Sequence, residues 1–224
     1  MHSLQKRLFL FSLAVLSLGT VQCNPSAKSD QMSEIQSSPQ DIQGKEEMLD
    51  TITLGAGCFW CTEAIFQSLD GVYTVESGYC NGTVKNPSYK EVCTGRTGHA
   101  EVARITYDPE VISFAELLEV FWQTHDPTTL NKQGADVGTQ YRSGVYWHTE
   151  EQRKLAEEYK KRLDESGAFN NPIVTEIVEV SNYYPAEDYH QNYFNENGDQ
   201  PYCSYVIRPK MEKFKKAFND KLKQ

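Results

Sequence analysis

TITLGAGCFWCTEAIFQSL, residues 51–69, holds a strand, a turn and a helix in immediate succession. Alternating polar and apolar side chains predict a short strand over residues 51–54, and the glycines of 55–57 predict a tight turn after it. Residues 58–69 have the spacing of a helix, which we expect Gly71 to end. The apolar residues that define its buried side are Phe59, Ile65, Phe66 and Leu69. We therefore expect a compact domain that begins at residue 51 and extends over 51–224.

Helix and strand patterns alternate along the rest of this domain. Ser113 and Glu116 form a capping-box pattern ahead of an amphipathic helix with apolar residues at 114, 117, 118, 121 and 122. Thr149 and Gln152 repeat the pattern ahead of a second helix, which we expect Gly167 to end. Strand-like runs cover 72–79, 102–107, 143–148 and 173–180. Because helices and strands interleave, the sequence predicts an α+β fold with a mixed sheet covered by helices.

Composition excludes two broad classes of protein. The 224 residues carry 22 Lys and Arg against 31 Asp and Glu, a net charge of −9, and 39% of them are hydrophobic. That apolar content is enough for a packed core, so wholesale disorder is excluded. No clustered basic face is available to neutralise phosphates, so we expect no nucleic-acid partner.

The first 50 residues predict export. Residues 1–22 have the positive start and short apolar run of a signal peptide, and Cys23 follows as in a bacterial lipoprotein cleavage site, although Gln22 departs from that pattern. Lipidation at Cys23, cleavage without lipidation and an uncleaved anchor are the three alternatives. Residues 23–50 are rich in Ser and Gln and contain no aromatic residue, so we expect a disordered tether. The protein would then be periplasmic or a membrane-anchored lipoprotein.

Cys58 and Cys61 are the sharpest candidates for chemistry. A cysteine in the first turn of a helix faces unpaired N–H groups and the positive end of the helix dipole, which favour the thiolate. Cys58 is therefore a candidate nucleophile. Cys61, three residues later, is within reach to form a disulfide with Cys58 or to resolve an oxidised form of it.

Three other interpretations of the cysteines stay open. A CxxC can be half of a zinc site, but Cys80 and Cys93 lie 13 residues apart and Cys203 stands alone, so no second close pair exists. Six cysteines in an exported protein could form three structural disulfides. A thioredoxin-like disulfide exchanger also places CxxC at a helix N-terminus. We expect no bound metal.

Two further polar clusters supply acids and hydrogen-bond donors. Glu101 opens an apolar strand, where desolvation would raise the pKa of its carboxyl group and let it act as an acid. Tyr89 lies nearby in the sequence and offers a phenol. A glycine-bearing loop over residues 133–143 contains Asp136 and Tyr141, its most plausible site residues.

Four stretches together resemble the A-class peptide methionine sulfoxide reductases. They are Gly-Cys-Phe-Trp at 57–60, Gly-His-Ala-Glu at 98–101, the loop 133–143, and Tyr-Pro-Ala-Glu-Asp-Tyr-His-Gln at 184–191. The resemblance implies a ferredoxin-like two-layer sandwich and reduction of methionine-S-sulfoxide, free or in oxidised proteins and peptides. We interpret the histidines inside these motifs as structural.

The resemblance also implies site roles. Phe59 and Trp60 would hold the substrate's methyl group, with Asp136 helping to shape the site. The groups that would hydrogen-bond the sulfoxide oxygen are Tyr89, Glu101 and Tyr141, with Glu101 supplying a proton. Cys58 would attack the sulfur and become a sulfenic acid.

Regeneration requires a second thiol. The resemblance offers two, Cys61 and Cys203, which we expect to act alone or in sequence, and it implies a thioredoxin-type reductant with no bound cofactor. Cys93 is expected to be a small buried packing residue. We expect a monomer that meets the membrane only through a lipid anchor.

Two competing functions remain. A thiol–disulfide oxidoreductase would use Cys58 and Cys61 but leave Glu101, Tyr89 and Asp136 without a task. A surface binding module held together by disulfides would contain no reactive thiol in the folded protein.

Overall fold

The computed structural model describes residues 48–224; the predicted signal peptide, Cys23 and the tether up to residue 47 lie outside the described residues. The strands are β1 (Asp50–Ala56), β2 (Val72–Cys80), β3 (Ala100–Tyr107), β4 (Lys132–Gln133), β5 (Asp136–Val137), β6 (Ser143–Trp147), β7 (Glu176–Glu179) and β8 (Tyr184–Pro185). The α-helices are α1 (Phe59–Gln67), α2 (Tyr89–Cys93), α3 (Phe114–Thr124), α4 (Glu150–Ser166), α5 (Tyr193–Glu196) and α6 (Arg208–Ala217). A π-helix, Cys203–Ile207, directly precedes α6. Among residues 48–224, no helix has the length and apolar character needed to cross a membrane.

One six-stranded mixed sheet organises the domain. Its order is β7-β6-β1-β3-β2-β8, and every neighbouring pair is antiparallel except β6 and β7, which run parallel. The central four strands and the helices α1 and α3 follow one another as β1-α1-β2-β3-α3-β6. This connection with this strand order is the ferredoxin-like arrangement, and the predicted α+β class is confirmed.

Alternation along the strands builds the core on one face of the sheet. Ile52 and Leu54 of β1 and Ile105 of β3 are completely buried there, under α1 and α3. The opposite face carries a smaller buried cluster that consists of Cys80, Ala100, Val102 and Tyr146. Burial of the apolar face at roughly 25 cal/mol per Å² is the main force that holds the helices on the sheet.

The decisive strand–turn–helix segment differs in detail from its prediction. Gly55 and Ala56 were expected in a turn but belong to β1, because they pair with Gly144 and Ser143 of β6. The tight turn is confined to residues 57 and 58. The helix begins at Phe59 and ends at Gln67 with Ser68 as its cap, so the expected stop at Gly71 is wrong.

The predicted caps are confirmed at α3 and only half formed at α4. Ser113 and Glu116 form both bonds of the capping box. The Thr149 side chain accepts from the backbone N–H of Gln152, but the Gln152 side chain accepts from His148 N (2.8 Å) and donates to the Thr51 carbonyl (2.8 Å). Gln152 therefore joins α4 to β1 instead of closing a box.

Candidate active site

The turn between β1 and α1 places Cys58 at the N-terminus of the helix. Gly57 has φ +92°, and a Cβ there would lie 2.6 Å from the side chain of Gln133, so both the conformation and the close approach require glycine. Cys58 is the N-cap of α1, and its carbonyl oxygen accepts from Cys61 N at 3.1 Å. Both cysteine side chains are buried, and Cys58 is 7% exposed.

A small cavity of about 180 Å³ opens onto the two thiols. Its walls come from the turn after β1, the β4–β5 hairpin and the C-terminal helical segment. The residues that line it are Cys58, Cys61, Gln133, Gly134, Ala135, Asp136, Tyr202, Val206 and Lys210. Three of the predicted site residues, Cys58, Cys61 and Asp136, thus share one cavity although they are distant in sequence.

Tyr202 connects the thiols to Asp136, a role that the sequence interpretation missed. Its hydroxyl donates its one proton to Asp136 Oδ2 at 2.8 Å, and Tyr202 lines the cavity beside Cys58 and Cys61. When this hydroxyl turns its proton toward a thiolate, the hydrogen bond lowers the pKa of that thiol, and this holds for Cys58 and for Cys61. The sequence had offered one signal, since Tyr202 directly precedes the predicted resolving cysteine.

Glu101 lies under the first turn of α1. Its side chain is 1% exposed, and Oε2 accepts from the backbone N–H of Phe59 at 3.2 Å. Burial raises the pKa of its carboxyl group to about 8, with the negative charges of Asp136 and Cys61 acting in the same direction against the Phe59 hydrogen bond. The predicted raised pKa is confirmed, and at neutral pH Glu101 is a neutral acid.

Cys58 is not the thiolate that its position at a helix N-terminus had predicted. Burial raises the pKa of Cys58 well above its ordinary value, and the neighbouring Cys61 and Glu101 add to the effect. The hydrogen bond from the Cys58 thiol lowers the pKa of Cys61 to about 7. The expectation is therefore wrong for the site without substrate, because desolvation of Cys58 outweighs the effect of the helix terminus.

An aromatic cluster forms the other side of the site. The Phe59 ring lies 6.1 Å from Trp60 and 6.4 Å from Tyr89, measured between centroids. Trp60 stacks on Tyr193 at 3.8 Å with 9° between the planes, and His190 contacts Trp60 at 5.5 Å. The two predicted apolar residues and Tyr89 are thus brought together.

Two carboxyl groups, the buried Glu63 and the partly exposed Glu187, hold this aromatic cluster in place. Glu63, on α1, accepts from the backbone N–H groups of Asn192 (2.9 Å) and Tyr193 (3.2 Å), which fixes the start of α5 and the ring that stacks on Trp60. Glu187 accepts from Tyr79 Oη and from the Tyr89 backbone N–H, both at 2.9 Å. Neither role has a local sequence signal, since the partners of each carboxylate lie between 98 and 130 residues away.

The two predicted phenol donors are half-buried and face the acid. Burial raises the pKa of Tyr89 and of Tyr141, and the charge of Glu101 raises both further, so each hydroxyl keeps its proton. The Tyr89 hydroxyl hydrogen-bonds the sulfur of Cys93. Cys93 is exposed, so its expected burial is wrong; it lies at the end of the short helix α2, beside the site.

Cys203 is close to the other thiols but separate from the cavity. It is completely buried at the start of the π-helix and does not line the cavity. Burial raises the pKa of its thiol, and the charge of an ionised Cys61 raises it further. Cys61 therefore interacts electrostatically with both of the other thiols, Cys58 and Cys203. The five cysteines in the described part of the chain are all free thiols.

Comparisons with known proteins agree on one family. The family model described as peptide methionine sulfoxide reductase matches residues 50–222. A protein named peptide methionine sulfoxide reductase MsrA from Trichodesmium erythraeum is 57% identical over 175 residues, which cover 78% of this chain and 99% of the relative. One from Leptospira borgpetersenii is 54% identical and covers 75% of this chain and 95% of the relative.

Solved structures show the same likeness. The reduced form of Mxr1 from Saccharomyces cerevisiae aligns with TM-score 0.66 and 40% identity, covering 70% of this chain and 90% of that one. Methionine sulfoxide reductase A of Corynebacterium diphtheriae aligns with TM-score 0.60 and 38% identity, covering 67% of this chain and 76% of that one.

Proposed function

The chain belongs to the peptide methionine sulfoxide reductase family, an oxidoreductase family, and we propose that it reduces methionine-S-sulfoxide, free or protein-bound, at Cys58. The observation that carries the proposal is the convergence of a buried thiol, a neutral carboxyl group and an aromatic cluster within one turn of α1. Cys58 is the N-cap of this helix, Glu101 accepts from its first N–H, and Phe59 and Trp60 are its first two residues.

The aromatic cluster is suited to a methyl sulfoxide. Phe59 and Trp60 offer apolar surface for the S-methyl group, and the stacking of Trp60 on Tyr193 fixes the indole before substrate arrives. Tyr89 and Tyr141 keep their protons and can donate to the sulfoxide oxygen. Donors already in position lower the barrier because that oxygen gains negative charge as the sulfur is attacked.

Glu101 supplies the proton for the same oxygen. Below about pH 8 its carboxyl group is neutral, so it can give a proton where a carboxylate could not. Cys58 attacks the sulfoxide sulfur, its thiol proton replaces the one that Glu101 gives up, and the oxygen passes to Cys58. Methionine leaves, its sulfur reduced by two electrons, and Cys58 is left as a sulfenic acid oxidised by two electrons.

Two thiols then restore Cys58 in sequence. Cys61 attacks the sulfenic sulfur as a thiolate; a disulfide forms and the oxygen leaves as water after taking a proton from Glu101. Cys203 then exchanges with this disulfide, releasing Cys58 as a thiol and leaving Cys61 bonded to Cys203. The order is supported by the position of Cys61, which interacts with both other thiols.

A thioredoxin-type dithiol would reduce the last disulfide, taking its oxidation onto its own cysteines. The signal-like residues 1–22 and Cys23 support action outside the cytoplasm, on the membrane or in the periplasm. The substrates there would be exported proteins and peptides whose methionines have been oxidised, and the biological role would be their repair.

The test uses the full-length protein with dithiothreitol and a peptide that carries methionine sulfoxide as the S or the R epimer. We expect conversion of the S epimer alone, and none by the Cys58→Ser variant, which has no nucleophilic sulfur. No conversion of either epimer by protein with confirmed free thiols would overturn the proposal and leave disulfide exchange to explain Cys58 and Cys61.

A further inference from the structure

Lys210 places a positive charge in the thiol cavity. It lies near the start of α6, is half-buried, and lines the cavity together with Cys58 and Cys61. Within residues 48–224 its ammonium group forms neither a hydrogen bond nor an ion pair. Because it has no partner of its own in the cavity, this ammonium group is free to interact with an anion that forms there during the reaction.

The anions available to this ammonium are few. Asp136 lines the same cavity, but its carboxylate already accepts from Tyr202, and no ion pair with Lys210 forms. The nearby His125 offers no negative charge. Burial lowers its pKa to about 4, and the charge of Lys210 acts in the same direction, so the ring is neutral. The remaining candidate is a thiolate. The charge of Lys210 lowers the pKa of Cys61, after the larger effect of the Cys58 hydrogen bond.

We infer that Lys210 is a positioning residue for regeneration, which holds the Cys61 sulfur as a thiolate facing the oxidised Cys58. This inference rests on the proposed function and adds a residue to its second step. In that step the Cys61 thiolate attacks the Cys58 sulfur, the sulfur–sulfur bond forms, and the sulfur–oxygen bond breaks. The oxygen leaves as hydroxide and takes a proton from Glu101 to become water. Lys210 transfers nothing; it lowers the energy of the attacking anion.

Several other groups around Cys61 also influence its ionisation. Those that act on it or respond to it are the Cys58 thiol, the Tyr202 hydroxyl, the Asp136 carboxylate, the Glu101 carboxyl and the Cys203 thiol. Lys210 is the one cation among these groups in the described part of the chain. Its removal should therefore move the titration of Cys61 upward.

The experiment is a single turnover without external reductant. Reduced full-length protein is mixed with one equivalent of the S-sulfoxide peptide between pH 5.5 and 9, and samples are quenched to measure methionine, sulfenic acid and the 58–61 disulfide. For Lys210→Met we expect the pH midpoint of disulfide formation to rise by about one unit, which is a loss of about tenfold in rate below pH 7. The two proteins should converge near pH 9, where Cys61 is ionised in both. Lys210→Arg should restore the wild-type profile.

Lys213 provides the matched control, since it lies one turn further along α6 and lines, together with Lys210, a neighbouring groove beside Phe214, but does not line the thiol cavity. Lys213→Met should keep the wild-type profile. Superimposable profiles for Lys210→Met and wild type would overturn the inference, as would a uniform loss at every pH. A raised KM with an unchanged profile would assign Lys210 to a substrate anion instead. Lys210→Gln gives a second test if the Met variant folds poorly. Failure of the proposed function is distinct, because the wild type would then release no methionine.

Discussion

Replacement of Glu101 by Gln should separate the catalytic use of this carboxyl group from its effect on stability. The carboxyl group has a pKa of about 8 in the folded protein against 4.5 as its ordinary value. Its folded-state pKa is raised, so the folded protein binds more protons than the unfolded chain between these two values, and stability falls as pH rises through that window. At 1.36 kcal/mol per unit, the penalty is about 3 kcal/mol at pH 7 and about 5 kcal/mol above pH 8.

Gln cannot ionise, and its amide oxygen can still accept from Phe59 N, so the variant should escape this penalty. We expect equal unfolding free energies for wild type and Glu101→Gln near pH 4, and a growing advantage for the variant up to pH 8. The same variant should lose about 10²- to 10⁴-fold in methionine formation because the proton donor is gone. For the wild type, this step should slow above pH 8.

Urea unfolding of the reduced proteins at pH 4, 6 and 8 measures the first effect, and single-turnover methionine release measures the second. Glu110, an exposed residue after β3, supplies the control: Glu110→Gln should change stability by less than about 0.5 kcal/mol at each pH. A stability difference between Glu101→Gln and wild type that stays constant with pH would refute the raised pKa and with it the role of Glu101 as the acid.

The remaining predictions concern the thiols and one helix cap. Without reductant, Cys61→Ser should still release one equivalent of methionine but keep the sulfenic acid on Cys58. Cys203→Ser should stop at the disulfide between Cys58 and Cys61. Peptide mapping by mass spectrometry distinguishes the two products, and the reverse result would contradict the proposed order. Tyr202→Phe removes the hydroxyl that can stabilise the Cys58 thiolate, so alkylation of Cys58 at pH 8 should slow by up to about tenfold; an unchanged rate would show that this hydroxyl does not act on Cys58. Ser113→Ala breaks the capping box of α3 and should cost about 1 kcal/mol in urea unfolding, while no loss would mean that the cap is replaced by solvent.

Local patterns predicted the fold well because they depend on neighbours in sequence. The capping box at Ser113 and the left-handed Gly167 at the end of α4 are set within four residues, and both are confirmed. The limits of the first strand and helix were less predictable. Gly55 joins β1 only because β6, about 90 residues later, offers a partner.

The same difference between local and distant contacts decides which parts of the candidate site were predictable. Family motifs pointed to Cys58, Glu101 and Asp136, and the structure brings these residues around one turn of α1. The Tyr202 bond to Asp136 spans 66 residues and had no local pattern. The state of Cys58 depends on how deeply the finished fold buries it, so a helix N-terminus alone gave the wrong direction for its pKa.

In the proposed mechanism the sulfoxide oxygen passes directly to Cys58. A substrate peptide labelled with heavy oxygen in its sulfoxide, mixed with the reduced Cys61→Ser variant in unlabelled water, tests this transfer by mass spectrometry of the peptide that contains Cys58. Direct transfer predicts a sulfenic acid on Cys58 that carries the heavy oxygen, in amounts equal to the methionine released. Methionine release with unlabelled oxygen on Cys58, or with no oxygen there, would contradict it.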